Sequence, residues 1–348
     1  MAIGPKSFTT SRARSKTMKN KMSKTKNIVV IGGGSWGGAL ADQLLKANNN
    51  VTVLTRRRET ADALNQGSLI ALPQVQLEHP IPSTTNPDCL SFADLIVIAV
   101  PLSETAQVVE MIEKYASLNS VILFSGKGLF SHPEKGGIFL PEWIDSNFDN
   151  FYSYGLISGP SFADEVISNK PTAVMIASQS ITLSTKIADY FEASYLRCYI
   201  GDDITGVAVG GAVKNIIAIA AGIATGLELG DNARAALVSR GLAEITRLAV
   251  KIGGRPQTLN GLAGMGDLVL SCSSPHSRNM AFGMAIAKNQ TPDQKLAEGK
   301  KAAELLNARA LYENIELPIA QAVHRILQHK ELIESEINAL LARAANTE

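Results

Sequence analysis

Cysteine is scarce in this chain: Cys89, Cys198 and Cys272 are an odd number without CxxC spacing. That argues against a disulfide framework and for a reducing compartment, with the cytoplasm as the expected location. The five histidines are scattered, forming neither an HExxH pair nor a Cys/His cluster, so no metal site is expected. No apolar run of signal-peptide type is present. Acidic residues are missing from positions 1–26, which carry eight Lys or Arg, and the remainder has seven more acidic than basic residues. A body of that charge is not built for nucleic acid, so any phosphate site in it must be local. Residues 1–26 read as a disordered basic extension, with a transit peptide or a basic arm as the other readings. They lack the apolar periodicity of an amphipathic helix.

What is there is a chain of 348 residues with 45% hydrophobic content, enough for two soluble domains with cores of their own. The stretch Asn27 to Ala47 runs from an apolar strand (28–31) through Gly32-x-Gly34-x-x-Gly37 into a helical pattern with Trp36, Leu40 and Leu44 on one face. In that context the first glycine allows a tight turn, the second lets backbone approach a pyrophosphate, and the third packs helix on strand. The unpaired N–H groups of the helix N-terminus suit the same anion. Strand, spacing and helix agree on dinucleotide binding. A second strand (51–55) ends in Arg56-Arg57-Arg58, with no carboxylate before Glu59. A ribose 2′-hydroxyl calls for Asp or Glu there and a 2′-phosphate for arginine, so NADP(H) is favoured and NAD(H) possible. The other reading of the three arginines is a solvated basic turn.

Residues 94–100 and 121–124 are apolar runs of the central-strand kind, and 154–158 and 172–178 add two more. Ser103 opens a helix as its cap, and Ser161 with Asp164 fits a capping box. Alternating strands and helices predict an α/β fold with a doubly wound Rossmann-type sheet. Its ligands belong beyond the strand carboxyl ends, where the glycine loop, Lys127 and Ser161 fall. From Asp202 the pattern is helical to the end, an all-α C-terminal domain. The boundaries are therefore 1–26, 27–200 for the dinucleotide domain and 201–348 for the substrate and catalytic domain.

Ile204 to Gly226 is almost wholly apolar, with glycines at small-xxx-small spacing, yet it carries Lys214 and Asn215 at its centre. A lysine there is costly in a membrane, and no second such segment exists, so a buried helix without a membrane span is expected. Burial lowers a lysine's pKa and suits it to proton transfer; snorkelling to the rim is the bland reading. Asp267, after the loop 261–266, either caps a helix or balances Lys214. Arg278 sits in a first helical turn, where it opposes the dipole unless an anion binds there.

Together these pieces resemble the NAD(P)-dependent glycerol-3-phosphate dehydrogenases of the bacterial biosynthetic type. The matching blocks are GGGSWGGALA (32–41), KGL (127–129), SGPSFADE (158–165), GGAVKNIIAIAAG (210–222), DNARAALVSRGLAE (231–244), GLAGMGDLVLSC (261–272), SRNMAFG (277–283) and EG (298–299). The family often has Ser or Thr directly before the lysine, where this chain has Gly126, and a tryptophan near 54–55 that is missing here. The resemblance implies reversible hydride transfer between NADPH or NADH and dihydroxyacetone phosphate, giving sn-glycerol 3-phosphate for glycerophospholipid synthesis. It implies cofactor contacts from Gly32, Gly34, Ser35, Trp36, Gly37, Arg56, Arg57, Lys127, Ala163, Arg278, Leu296 and Glu298. Substrate contacts would come from Lys127, Gly159, Ser161, Lys214, Asn215, Asp267, Ser277, Arg278 and Asn279. Lys214 would carry the proton, with Asp267 and Lys127 as its catalytic neighbours. A homodimer through apolar helical surfaces is a further expectation. Two other readings stay open: a 3-hydroxyacid or 6-phosphogluconate-type dehydrogenase, and a non-catalytic dinucleotide sensor.

Overall fold

The computed structural model describes residues 25–147, 152–290 and 297–342. Most of the extension 1–26 therefore lies outside the described residues. The first half runs β1 (Asn27–Ile31), α1 (Ser35–Lys46), β2 (Asn50–Leu54), α2 (Arg58–Asn65), β3 (Ser83–Thr84), β4 (Leu95–Ile98), α3 (Thr105–Tyr115) and β5 (Val121–Phe124). A hairpin of β6 (Leu129–His132) and β7 (Gly136–Phe139) leads into α4 (Leu140–Asn147) and β8 (Ser153–Ser158). Then come α5 (Ala163–Ile167), β9 (Thr172–Ser178), α6 (Ile181–Ala188) and β10 (Leu196–Gly201). The second half is helical: α7 (Ile204–Gly226), α8 (Asp231–Lys251), α9 (Pro256–Leu259), a π turn (Leu262–Gly266), α10 (Asp267–Ser273), α11 (Arg278–Ala287), α12 (Ala297–Tyr312), α13 (Pro318–Gln328) and α14 (Ile333–Leu341).

Eight strands form one sheet in the order β10-β9-β8-β5-β4-β1-β2-β3. All neighbours are parallel except β8 and β9. Every residue of β4 and β5 is buried, as the apolar runs require of strands covered on both faces. Chain direction across the sheet reverses between β1 and β4, which makes a ligand crevice at their carboxyl ends. Two apolar clusters cover the two sheet faces, and a third surrounds α7.

The helix read from the apolar run at 204–226 is α7, and 83% of its most apolar stretch is buried inside the protein. Its glycines serve close packing: a Cβ at Gly222 would run into the Met280 carbonyl, and one at Gly283 into that of Ile219.

Two expected helix caps are corrected. Ser103 lies inside a 3-10 turn (Leu102–Glu104) and caps nothing; α3 begins after Glu104, whose side chain turns to Arg56 instead. The N-cap of α5 is Phe162, and Ser161 donates its hydroxyl to the Gly159 carbonyl at 3.0 Å, so there is no capping box. The strand β10 and the β6–β7 hairpin were not foreseen. β10 is the edge strand of the large sheet, parallel to β9 with only Leu196 buried, and the hairpin forms a separate two-stranded sheet.

Candidate active site

The β1–β4 crevice is bordered by the carboxyl ends of the two strands and by the N-terminus of α1. Gly32 leaves β1 with φ of +116°, a conformation only glycine takes without strain, and its N–H donates to the Leu54 carbonyl at 2.9 Å. A Cβ at Gly37 would strike the Gly32 carbonyl, so loop and helix can close only with glycine there. Gly34 is the N-cap of α1 and offers no side chain to its first N–H groups, and a Cβ there would project into open space. A pyrophosphate fits that cradle: free donors, the positive end of a 12-residue helix and room for close backbone approach. Ser35 donates its hydroxyl to the Ala71 carbonyl at 3.2 Å, and Trp36 packs half-buried against the sheet core. Ala163 opens α5 against the same core, beside α1. Arg57 is the exposed N-cap of α2, and Arg56 pairs with Glu104 across the crevice.

Two lysines share one buried acid. Lys127, on the loop after β5, donates to Asp267 Oδ2 at 2.5 Å. Lys214, in the middle of α7, donates to Asp267 Oδ1 at 2.6 Å and to Ser271 Oγ at 2.8 Å. Asp267 is the first residue of α10, held opposite α7 by the π turn; it is only 2% exposed. The Lys214 side chain is 11% exposed and that of Lys127 23%. Among the described residues, Lys214 thus spends two of its three ammonium protons and keeps one for a further acceptor. Burial alone would raise the Asp267 pKa, but the two ammonium groups outweigh it and hold the carboxyl below its usual range. For Lys214, burial and the neighbouring Lys127 charge outweigh the pull of Asp267 and bring the ammonium down to about 8. Two cations around one anion leave a net positive pocket, the environment that stabilises an oxygen gaining negative charge.

Ser158 and Ser271 are members of this cluster that sequence reasoning missed. Ser158, the last residue of β8, donates to Asp267 Oδ2 at 3.4 Å. Ser271 lies four residues after Asp267 on α10, so the i, i+4 relation could have exposed it.

The residues expected to contact substrate are placed as follows. Asn215 follows Lys214, half-buried. Gly159 turns out of β8 with φ of +146°, carrying Ser161. Phe162 and His276 bring the loop after β8 against the loop before α11, with ring centroids 6.0 Å apart. Ser277 caps α11 by accepting from the Met280 N–H at 3.4 Å. Because α11 runs alongside α7, with Met280 at Gly222 and Met284 at Gly226, its N-terminal turn lies on the Lys214 side of Gly222. Arg278 is exposed in that turn and no carboxylate pairs with it among the described residues; Asn279 points toward Gly299. Leu296 lies outside the described residues, and Glu298 falls in the first turn of α12. No group of His, Cys, Asp and Glu suited to a metal occurs among the described residues.

A glycine turn shaped for a pyrophosphate at a sheet switch point, together with a buried lysine that has its own counter-ion, is the equipment of a dinucleotide-dependent oxidoreductase. Residues 27–184 match the family model described as NAD-dependent glycerol-3-phosphate dehydrogenase N-terminus, and residues 203–338 match its C-terminus counterpart. The chain belongs to the NAD-dependent glycerol-3-phosphate dehydrogenase family. It is 38% identical to the glycerol-3-phosphate dehydrogenase (NAD(P)+) of Halorhodospira halophila over 92% of this chain and 98% of that one. The protein of that name from Macrococcus caseolyticus is 37% identical over 92% and 99%. The crystal structure of glycerol-3-phosphate dehydrogenase from Coxiella burnetii superposes with a TM-score of 0.82 at 34% identity, covering 92% of this chain and 99% of that one.

Proposed function

We propose that this chain interconverts dihydroxyacetone phosphate and sn-glycerol 3-phosphate with NADPH or NADH, supplying the phosphorylated glycerol backbone of glycerophospholipids. The observation that carries this reading is the Lys127–Asp267–Lys214 cluster at the mouth of the glycine-loop crevice. Family membership favours it over the 3-hydroxyacid, 6-phosphogluconate and sensor readings. Residues 27–200 serve as the dinucleotide half and residues from 201 onward as the substrate half.

Gly32–Gly37 would hold the cofactor's pyrophosphate, and the bound cofactor would supply or take the hydride at C2 of the substrate. In the reducing direction the C2 oxygen gains negative charge and takes a proton from Lys214 Nζ. The neutral amine left behind is reprotonated from water; in the oxidising direction it removes the hydroxyl proton. Lys127 and Asn215 polarise and orient that oxygen, and Asp267 fixes both ammonium groups. The N-terminal turn of α11, with Ser277, Arg278 and Asn279, holds the phosphate far enough away to orient C2. Positioned proton transfer of this kind contributes about 10²–10⁴ in rate.

The assay is absorbance at the nicotinamide band with dihydroxyacetone phosphate and each reduced cofactor. Absence of turnover with either would reject the activity. Reduction requires the protonated form of Lys214, so its kcat/KM is expected to fall above about pH 8 and that of oxidation to fall below it. Profiles over roughly pH 7 to 10 that run parallel in the two directions would remove Lys214 as the titrating group.

Arg278→Ala is expected to raise KM for dihydroxyacetone phosphate about tenfold to a hundredfold, the weight of one charge-assisted contact. An unchanged KM would place the phosphate elsewhere.

A further inference from the structure

The turn after β2 lacks the acid that a ribose 2′-hydroxyl needs: Thr55 is followed by Arg56, Arg57 and Arg58. The structure brings an acid there from another strand. Arg56 donates to Glu104 through both terminal nitrogens, at 2.6 and 3.3 Å. Glu104 ends the 3-10 turn after β4, and β4 and β2 flank β1 on opposite sides. The pair therefore spans the crevice at the carboxyl end of β1, directly beside the glycine loop. The Arg56 side chain is 80% exposed, and among the described residues its hydrogen-bonding partner is Glu104. Glu104 occupies the N-cap of α3, yet its side chain makes no cap hydrogen bond and is committed to Arg56.

We propose that Glu104 sets the cofactor preference of this enzyme. It competes with a 2′-phosphate for the Arg56 guanidinium, and it offers a 2′-hydroxyl the acceptor that the β2 turn does not provide. A 2′-phosphate must displace the carboxylate and then lies beside a like charge. A 2′-hydroxyl leaves the pair intact and donates to it. Glu104 thereby holds the chain between NADPH and NADH, where Arg56 alone would commit it to NADPH. The inference rests on the reading that the cofactor's adenosine ribose lies at the β2 turn.

The test is the dissociation constant of each reduced cofactor, measured without substrate by protein fluorescence or titration calorimetry. Glu104→Gln keeps the side-chain volume and removes the charge. It is expected to tighten NADPH about fivefold, the upper range of an exposed charge pair, and to weaken NADH by a smaller factor. The NADPH gain should shrink as salt rises, because the interaction is exposed. Arg56→Ala should weaken NADPH, and in that background Glu104→Gln should change the NADPH constant by less than about half its effect in the parent. If both cofactors bind but Glu104→Gln leaves their ratio unchanged, the role of Glu104 is overturned and the dehydrogenase reading stands. If neither cofactor binds the unaltered chain, both fall together.

Discussion

Lys214→Met is expected to leave NADPH binding within about twofold of the parent while lowering kcat about 10²–10⁴-fold. The ammonium bonds Asp267 and Ser271 and no residue of the glycine loop, so its removal is expected to leave the pyrophosphate cradle in place. Methionine keeps most of the volume in a helix that is otherwise packed against α8, α10 and α11. It cannot give or take a proton, and it withdraws a positive charge from beside the oxygen that becomes anionic. The remaining Lys127–Asp267 pair is neutral in sum, so the pocket changes from net positive to uncharged. Near-normal kcat in this variant would sink the mechanism.

The second large effect concerns Asp267. Replacing it with Asn leaves two ammonium groups close together in a mostly dry site with no anion between them. Removing one partner of a buried pair typically costs about 3–5 kcal/mol, and the carboxylate here serves two cations. Lys214, already lowered by burial and the Lys127 charge, would lose the pull of the carboxylate and be driven further toward the neutral form. Two results are expected together. Denaturant midpoints fall, and the alkaline limb of the reduction profile moves to lower pH. A merely structural role for Asp267 would lower stability while leaving that limb in place, so the pH profile is the deciding measurement.

Much of this was legible from residue order because the physics involved is local. The full burial of β4 and β5 is written as unbroken apolar runs, and α7 begins and ends where its apolar run does. Lys214 stood out because a charge in such a helix demands a reason. Its pairing with Asp267 was one of two readings in the sequence, and distance in space decided between them. The cap at Ser103 failed because the side chain that reaches furthest at that turn, Glu104, is drawn to a cation 48 residues earlier. The hairpin 129–139 escaped notice for a related reason. Gly137 packs against Leu305, and Arg309 donates to the Gly137 carbonyl at 3.0 Å; both partners lie more than 160 residues downstream. Ser158 offers no periodic signal at all; it matters only because β8 ends where Asp267 arrives.

Asp267 is claimed at once by a lysine from each half of the molecule. The acid strength of the Lys214 ammonium, the proposed proton donor, is therefore a property of how the halves are seated and not of its own helix alone. Any motion that draws the β5 loop away from α10 removes one cation from the carboxylate and eases the repulsion on Lys214, so its ammonium becomes a weaker acid. Under the proposed mechanism, seating the two halves together would favour proton donation by Lys214, and separating them would weaken it without altering a residue of α7.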